Sequence, residues 1–528
     1  MFRNASCLSL AIILVQVSIS GAQSSPDAPL RMSSESLARW IDERFAAAWQ
    51  ESKTLPATDI DDATFLRRAY LDLTGSIPSV SEARDFLAIS SGHRRALLID
   101  RLLNDRRRPE KHADRTAAYL ATVWRRMMIP GNTPEARTAV LLEPWLAQQF
   151  VDNVPYDEVA RKLVTARSEA PVMMNIPNRA VPMGSAGPAF FYQAIGGKPE
   201  AAASSVSRIF LGVRIGCAEC HDHPFAAWKQ KDFWGMAAFF SGIRNGVAGD
   251  SEASIRPENS TVSYSATYLG GTPAKFEKGK TPREALADWM VDDSNSLFAA
   301  TAVNRVWKHL IGRGLTDSVD DLDKASAEER RILDELAVLF VKSGYDLRWL
   351  IAGICKSQLY QRECVLVEQA AGDPGPGQRP VKTLSPEQIF NSLEQALSLP
   401  IARADGGARF NGLRDQLIMR LSEAATNNPD EFRAGIPQAL LLMNGKLTAD
   451  ATNLDQSRTL RGVVESPFLD TTLKLETLYL ATFSRPPRPD EKEFLLEHIH
   501  KQTGEMQKQA FAEIFWGLLN SPEFVLQK

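Results

Sequence analysis

No sign of charge dominates this sequence: 61 Lys and Arg stand against 64 Asp and Glu, a formal net charge of -3. Without an excess of positive charge there is no broad field to hold a polyanion, and a nucleic-acid partner is not expected. Beyond the first two dozen residues there is no apolar run long enough to cross a bilayer. There is no tandem repeat of fixed period, and strand signals are few, which argues against a parallel-sheet architecture. Hydrolase signatures are missing too: no Gly-x-Ser-x-Gly elbow, no phosphate loop and no His-Glu-x-x-His. Carboxylate pairs such as Asp61 and Asp62, or Asp320 and Asp321, read as solvated surface or helix-start residues. With 44% hydrophobic and 24% charged residues, the composition is that of a globular protein with room for two or three cores.

The opening of the chain carries the three parts of a secretory signal: Arg3, an apolar stretch from Leu8 to Ile19, and the small residues Ser20, Gly21 and Ala22. Cleavage after Ala22 is expected, leaving a periplasmic or secreted protein that is not integral to the membrane. Of the five cysteines, Cys7 would leave with the leader. Cys355 and Cys364 are free to pair in an oxidising compartment, although Cys355 lies in an apolar helical stretch that would equally hold a buried thiol.

Three- and four-residue spacing of apolar positions predicts helices over Ser36–Trp49, Ala63–Leu73, Val80–Leu87, His93–Leu103, Lys111–Met127, Pro144–Phe150, Tyr156–Ala166 and Glu200–Leu211, with another from Asp232 to Phe240. The proline-rich stretch from Ser168 to Pro188 reads as an extended connection. From Gly242 to Lys280 the chain turns polar and rich in Gly, Ser and Thr, with room for a small hairpin. A second helical block follows, with segments including Phe298–Ile311, Glu328–Val341, Leu347–Leu359, Pro386–Leu397, Gln438–Leu442, Lys474–Phe483, Asp490–Lys501 and Lys508–Leu519. Gly372–Gln378 reads as a flexible surface link. The expected fold class is mainly α: two multi-helix lobes with a short irregular or β-hairpin connection. The expected division is a signal at 1–22, a helical domain at 34–243, a linker at 244–280 and a second helical domain at 281–528.

The chemistry concentrates in Cys217-Ala218-Glu219-Cys220-His221. In a c-type haem site, two cysteines form thioethers with the porphyrin and the following histidine supplies an axial nitrogen. The same spacing also allows a disulfide between Cys217 and Cys220, or zinc on both thiolates with His221 or His223. His223 is too near His221 in sequence to reach the opposite face of one iron easily; it suits a supporting hydrogen bond or a separate metal. Candidates for a sixth ligand are Met236, Met173, Met174, Met183 and His309, and spacing singles out none of them. His309 reads first as part of a helix-packing face. Trp228, Phe233, Trp234, Phe239 and Phe240 could wall a porphyrin or form ordinary core.

The chain resembles the secreted planctomycete proteins that join a cytochrome-like domain to a planctomycete-specific domain of unknown function. The residues that carry the likeness are Thr64 to Gly75, Ile77-Pro78, Asn153 to Asp157 and Phe210 to Phe225 in the first half. In the second half they are Val303 to Gly314, Ser343 to Leu347, Ile436 to Leu440 and Leu518 to Phe524. The resemblance implies the paired-domain layout and a cytochrome-like motif at Cys217, Cys220 and His221, but no assigned activity. Larger relatives carry an additional N-terminal cytochrome c domain, and some carry carbohydrate-binding or immunoglobulin-like inserts between the two halves; neither is expected here, so an electron partner would be a separate protein or a membrane-associated secreted complex. The leading expectation is one covalent haem c and an electron-transfer or haem-linked redox role. The alternatives are a non-haem scaffold or binding protein with zinc or a disulfide in the motif and, with least support, a hydrolase acting on surface polysaccharide.

Overall fold

In the computed structural model of the protein, the residues described are 32–53, 55–105, 112–129, 138–167, 187–224, 226–244, 246–249, 252–316, 318–365, 378–399, 414, 416–421, 443 and 445–528. The leader with Cys7, the methionines 173, 174 and 183, nearly all of the 372–378 link and the helix expected at 438–442 lie outside them.

The protein is mainly helical with a few two-stranded sheets. The helices expected from periodicity form close to their expected bounds, as at Ser34–Ser52, Asp62–Thr74, Val80–Ala88, Arg94–Asn104 and His112–Met128. Local chemistry sets where they start. Asp61 accepts the Thr64 N–H at 2.7 Å, and reciprocal capping boxes join Ser79 with Glu82, Thr281 with Glu284 and Ser385 with Gln388. The polar stretch after Gly242 folds as two short antiparallel hairpins, Ile243–Arg244 with Val247–Ala248 and Ser254–Ile255 with Tyr264–Ser265. No helix among the described residues is long and apolar enough to cross a membrane.

The apolar side chains collect into two cores. The larger takes residues from Leu37 to Tyr360, together with Leu480. The helices Pro282–Met290, Ser296–Ile311, Ala327–Lys342 and Leu347–Lys356 therefore bury their apolar faces in the same core as the helices that precede the hairpins. The smaller core runs from Leu384 to Phe524 and includes Leu71 and Ile77 from near the start of the chain.

The helix Asp62–Thr74 lies at the seam. Its buried Arg67 donates to the carbonyls of Thr482 and Phe524, both at 2.8 Å, and Arg68 donates to those of Tyr360 and Arg362. Asp72 is fully buried and meets the Lys382 ammonium at 2.6 Å, the Arg379 guanidinium at 3.1 Å and the Tyr360 hydroxyl at 2.8 Å. Burial pushes the Asp72 carboxyl up, but Lys382, Arg379 and His309 outweigh it and hold the group far below the usual carboxylate range. The helix ends at Gly75, whose φ of +67° suits a residue without a side chain. A Cβ there would stand 2.2 Å from the Tyr119 ring.

Candidate functional site

The motif is delivered by the helix Pro199–Leu211 and its glycine end. Gly212 has φ +63°, and a Cβ on it would come within 2.7 Å of Thr301 Oγ1 and 2.9 Å of Leu322 Cδ1. The chain can therefore turn against its neighbours here only because no side chain intervenes. After Val213 to Ile215, the segment Gly216–Glu219 forms one 3₁₀ turn. Within it Ala218 is buried and acts as the peg of the turn, whereas Cys217, Cys220 and His221 are all exposed. The structure thus brings these three residues of the expected site together on one surface turn.

Side chains from the following segment hold that turn. The Gln230 amide donates to the carbonyls of Glu219 and Cys220, each at 3.1 Å. The Trp234 indole N–H donates to the Glu219 carbonyl at 3.1 Å. The Gln230 backbone N–H donates to Asp222 Oδ1 at 2.9 Å. Gln230 and Trp234 sit four residues apart on the helix Gln230–Ala237, so both reach the turn from one face. The loop closes where His223 N–H meets the Trp228 carbonyl at 2.8 Å.

The two histidines of the motif are held differently. His221 Nδ1 lies 2.8 Å from the Asp222 carbonyl. A carbonyl only accepts, so the hydrogen resides on Nδ1 and the neutral ring keeps its lone pair on Nε2. His223 Nδ1 instead accepts the Ala226 N–H at 3.0 Å, which commits that nitrogen to the loop. Among the described residues, no group of three or more His, Cys, Asp or Glu side chains is arranged to hold a metal ion.

The surrounding aromatic residues belong to the core. Phe233, Trp234, Phe239 and Phe240 are buried, with Trp234 edge-on to Phe233 and Phe239 stacked on Tyr268. Met236 is also fully buried in that core. His309 sits at the seam described above: its Nε2–H donates to the Asp72 carbonyl at 2.8 Å and its ring lies against Tyr119. Burial above all, and then the Lys382 ammonium, push its pKa down to about 4. Cys355 and Cys364 are not joined. Cys355 is buried, and burial raises its thiol pKa; Cys364 lies 3.6 Å from the Arg68 guanidinium.

The supports Gln230, Trp228 and Trp234 carry no motif of their own, and only their closeness in sequence to Cys220 could have suggested them. The loop beyond Thr316 could not have been found this way. There Asp320 is buried against Arg305, Arg208 and Arg214, and Asp323 accepts the Trp228 indole N–H at 2.8 Å. The solvated role read for Asp320 gives way to that of a buried hub. Burial raises its carboxyl, but the three guanidinium groups outweigh it and hold the pKa below the usual range.

With this geometry in place, the chain can be classed as a mainly helical protein that presents an exposed Cys-x-x-Cys-His turn. It carries the domain described as protein of unknown function DUF1549, named PSCyt2, over residues 40–245. It carries a second, described as protein of unknown function DUF1553 and named PSD1, over residues 282–409. The domain pairing expected from the resemblance is present. Neither a curated protein nor a solved structure matches the chain.

Proposed function

We propose that the turn from Cys217 to His221 is a covalent haem attachment site, and that the protein works outside the cytoplasm in electron transfer or a haem-linked redox step with a separate partner. The observation that carries this reading is the exposure of both thiols and the imidazole on one braced turn, with His221 Nδ1 engaged at the Asp222 carbonyl. Cys217 and Cys220 would supply the thioether sulfurs, and His221 Nε2 the axial nitrogen. Haem, when bound, supplies one-electron chemistry. The chain's own residues orient that donor set: Gln230 and Trp234 hold the turn's carbonyls, and the Asp222 carbonyl fixes the imidazole tautomer. The name of the first domain and the secretory pattern at the start of the sequence support the same reading.

A second reading is a non-haem scaffold in which Cys217 and Cys220 form a disulfide or help to hold zinc. It draws support from the aromatic residues nearest the motif, which fill their own core. The two readings separate in one experiment. Full-length protein made with a c-type maturation system should show a reduced-minus-oxidised haem band and retain haem stain after a denaturing gel. Cys217→Ala with Cys220→Ala should abolish that stain, because both thioether anchors are gone. A colourless protein with a 217–220 disulfide or stoichiometric zinc would overturn the haem reading.

A further inference from the structure

The motif lies in the first domain, yet residues on both sides of it are held by one short loop of the second. Upstream, the Leu322 N–H donates to the Gly212 carbonyl at 2.9 Å, and the missing Gly212 side chain is what lets Leu322 approach. Three residues before Cys217, Arg214 lies 3.4 Å from Asp320 and 3.8 Å from Asp321. Asp320 is buried, and it also pairs with Arg208 on the helix leading to the motif and with Arg305 on the helix Ser296–Ile311. Downstream, Asp323 accepts the Trp228 indole N–H at 2.8 Å, and the Trp228 carbonyl closes the loop that contains His221 and His223.

The loop making these contacts has an anchor of its own. The fully buried Asn304 donates to Thr316 Oγ1 at 2.8 Å and accepts the Leu315 N–H at 2.7 Å. Thr316 donates to the Ser318 carbonyl, and the Ser318 hydroxyl donates to Asp321 at 3.0 Å. A set of bonds therefore runs from a core helix of the second domain through Ser318 and Asp321 to Arg214, and the same loop carries Leu322 to Gly212 and Asp323 to Trp228, on the two flanks of the motif.

We propose that the loop Ser318–Lys324 of the second domain is the clamp that sets the geometry of the Cys217–His221 turn, with Asp320 and Asp323 as positioning residues. The site is then completed only by the two domains together, which gives their pairing in one chain a physical purpose. The proposal rests on the redox reading for what the turn carries, but not for how the turn is held.

The test uses the full chain in its thiol form, so that it does not depend on haem. Asp323→Ala and Trp228→Phe remove one exposed hydrogen bond each and should leave global unfolding unchanged. They should speed amide exchange in residues 217–230 by roughly five-fold, the size expected for one net hydrogen bond. Exchange in the Asp62–Thr74 helix should stay as in the parent. Asp323→Asn keeps an acceptor oxygen for the indole and should restore most of the protection. Rescue by Asp323→Asn, which keeps the acceptor but not the charge, assigns the effect to the hydrogen bond with the Trp228 indole, and a merely stabilising residue would not produce it at residues 217–230 alone.

Unchanged exchange at residues 217–230 in both Asp323→Ala and Trp228→Phe would overturn the clamp. Loosening spread equally over the whole chain would overturn it as well. A colourless parent protein would overturn the haem assignment alone, because the exchange results are read without haem.

Discussion

Two clusters of chemically capable side chains stand in contrast. Around Asp72 the protein gathers Arg68, Arg379, Lys382, Tyr360, His309 and the thiols of Cys355 and Cys364, largely buried where the two cores meet. Around Cys217 it gathers two thiols and an imidazole, all exposed. The first cluster has strong electrostatics and ties together segments several hundred residues apart. The second has little stabilising role but presents its groups to any partner. A perturbed pKa therefore marks the structural keystone of this molecule, and exposure on a braced turn marks the candidate site. Perturbed groups often point to function, but here the strongest perturbations are explained by burial in the core and, at Asp72, by the ion pairs that hold the chain together.

The largest effect should come from Asp72→Ala. Removing the carboxylate leaves the fully buried Arg379 and the partly buried Lys382 without their partner, a loss of about 3–5 kcal/mol. Denaturant unfolding should show it clearly, and a loss below about 1 kcal/mol would mean that the seam does not carry the fold. The dependence on pH follows the same logic. The folded Asp72 pKa lies below the unfolded value, so its contribution is present above pH 4 and is lost as the pH falls further.

His309 adds a second acid-sensitive window, with the sign set by a lowered basic pKa. Between about pH 6.5 and 4 the unfolded chain binds a proton that the folded ring, with its pKa at about 4, refuses, so stability falls as the pH drops through that range. The slope from this group is at most about 1.4 kcal/mol per pH unit. His309→Gln should flatten the stability curve between pH 6.5 and 4. An unchanged slope would show that the His309 ring takes up its proton in the fold as readily as in the unfolded chain.

At the other cluster the effects should be local and small. Gln230→Ala removes two bonds to the turn and should speed exchange at residues 217–222, with about 1 kcal/mol or less of global stability lost. Smallest of all, Cys217→Ser with Cys220→Ser in the thiol form should change unfolding by less than about 0.5 kcal/mol, since both side chains face water. A loss of several kcal/mol from that pair would erase the contrast between keystone and site.

Much of this was legible in the sequence because it is governed by local rules. Apolar spacing and the caps at Asp61, Ser79, Thr281 and Ser385 lie within a few residues of what they control. The Cys217-x-x-Cys220-His221 spacing likewise contains its own chemistry, and the structure adds that one turn exposes all three groups. Asp320 shows where that reasoning stops. Beside Asp321 in an acidic stretch it reads as solvated, yet Arg208, Arg214 and Arg305 converge on it from other segments and make its burial tolerable.

Asp72 and His309 follow the same pattern. A helical period places Asp72 on Asp62–Thr74, but only the packing of Arg379 and Lys382 against that helix decides that a charge can be buried there. The sequence by itself determined the helical class, the element bounds and the residue types of the motif, because hydrophobic periodicity, capping and ligand spacing act over short stretches of chain. Tertiary structure alone decided which charges are buried, that helices on both sides of the hairpins share one core, and that the loop Ser318–Lys324 reaches the residues flanking the motif. Those outcomes depend on compensation between residues far apart in the chain, and no local pattern records it.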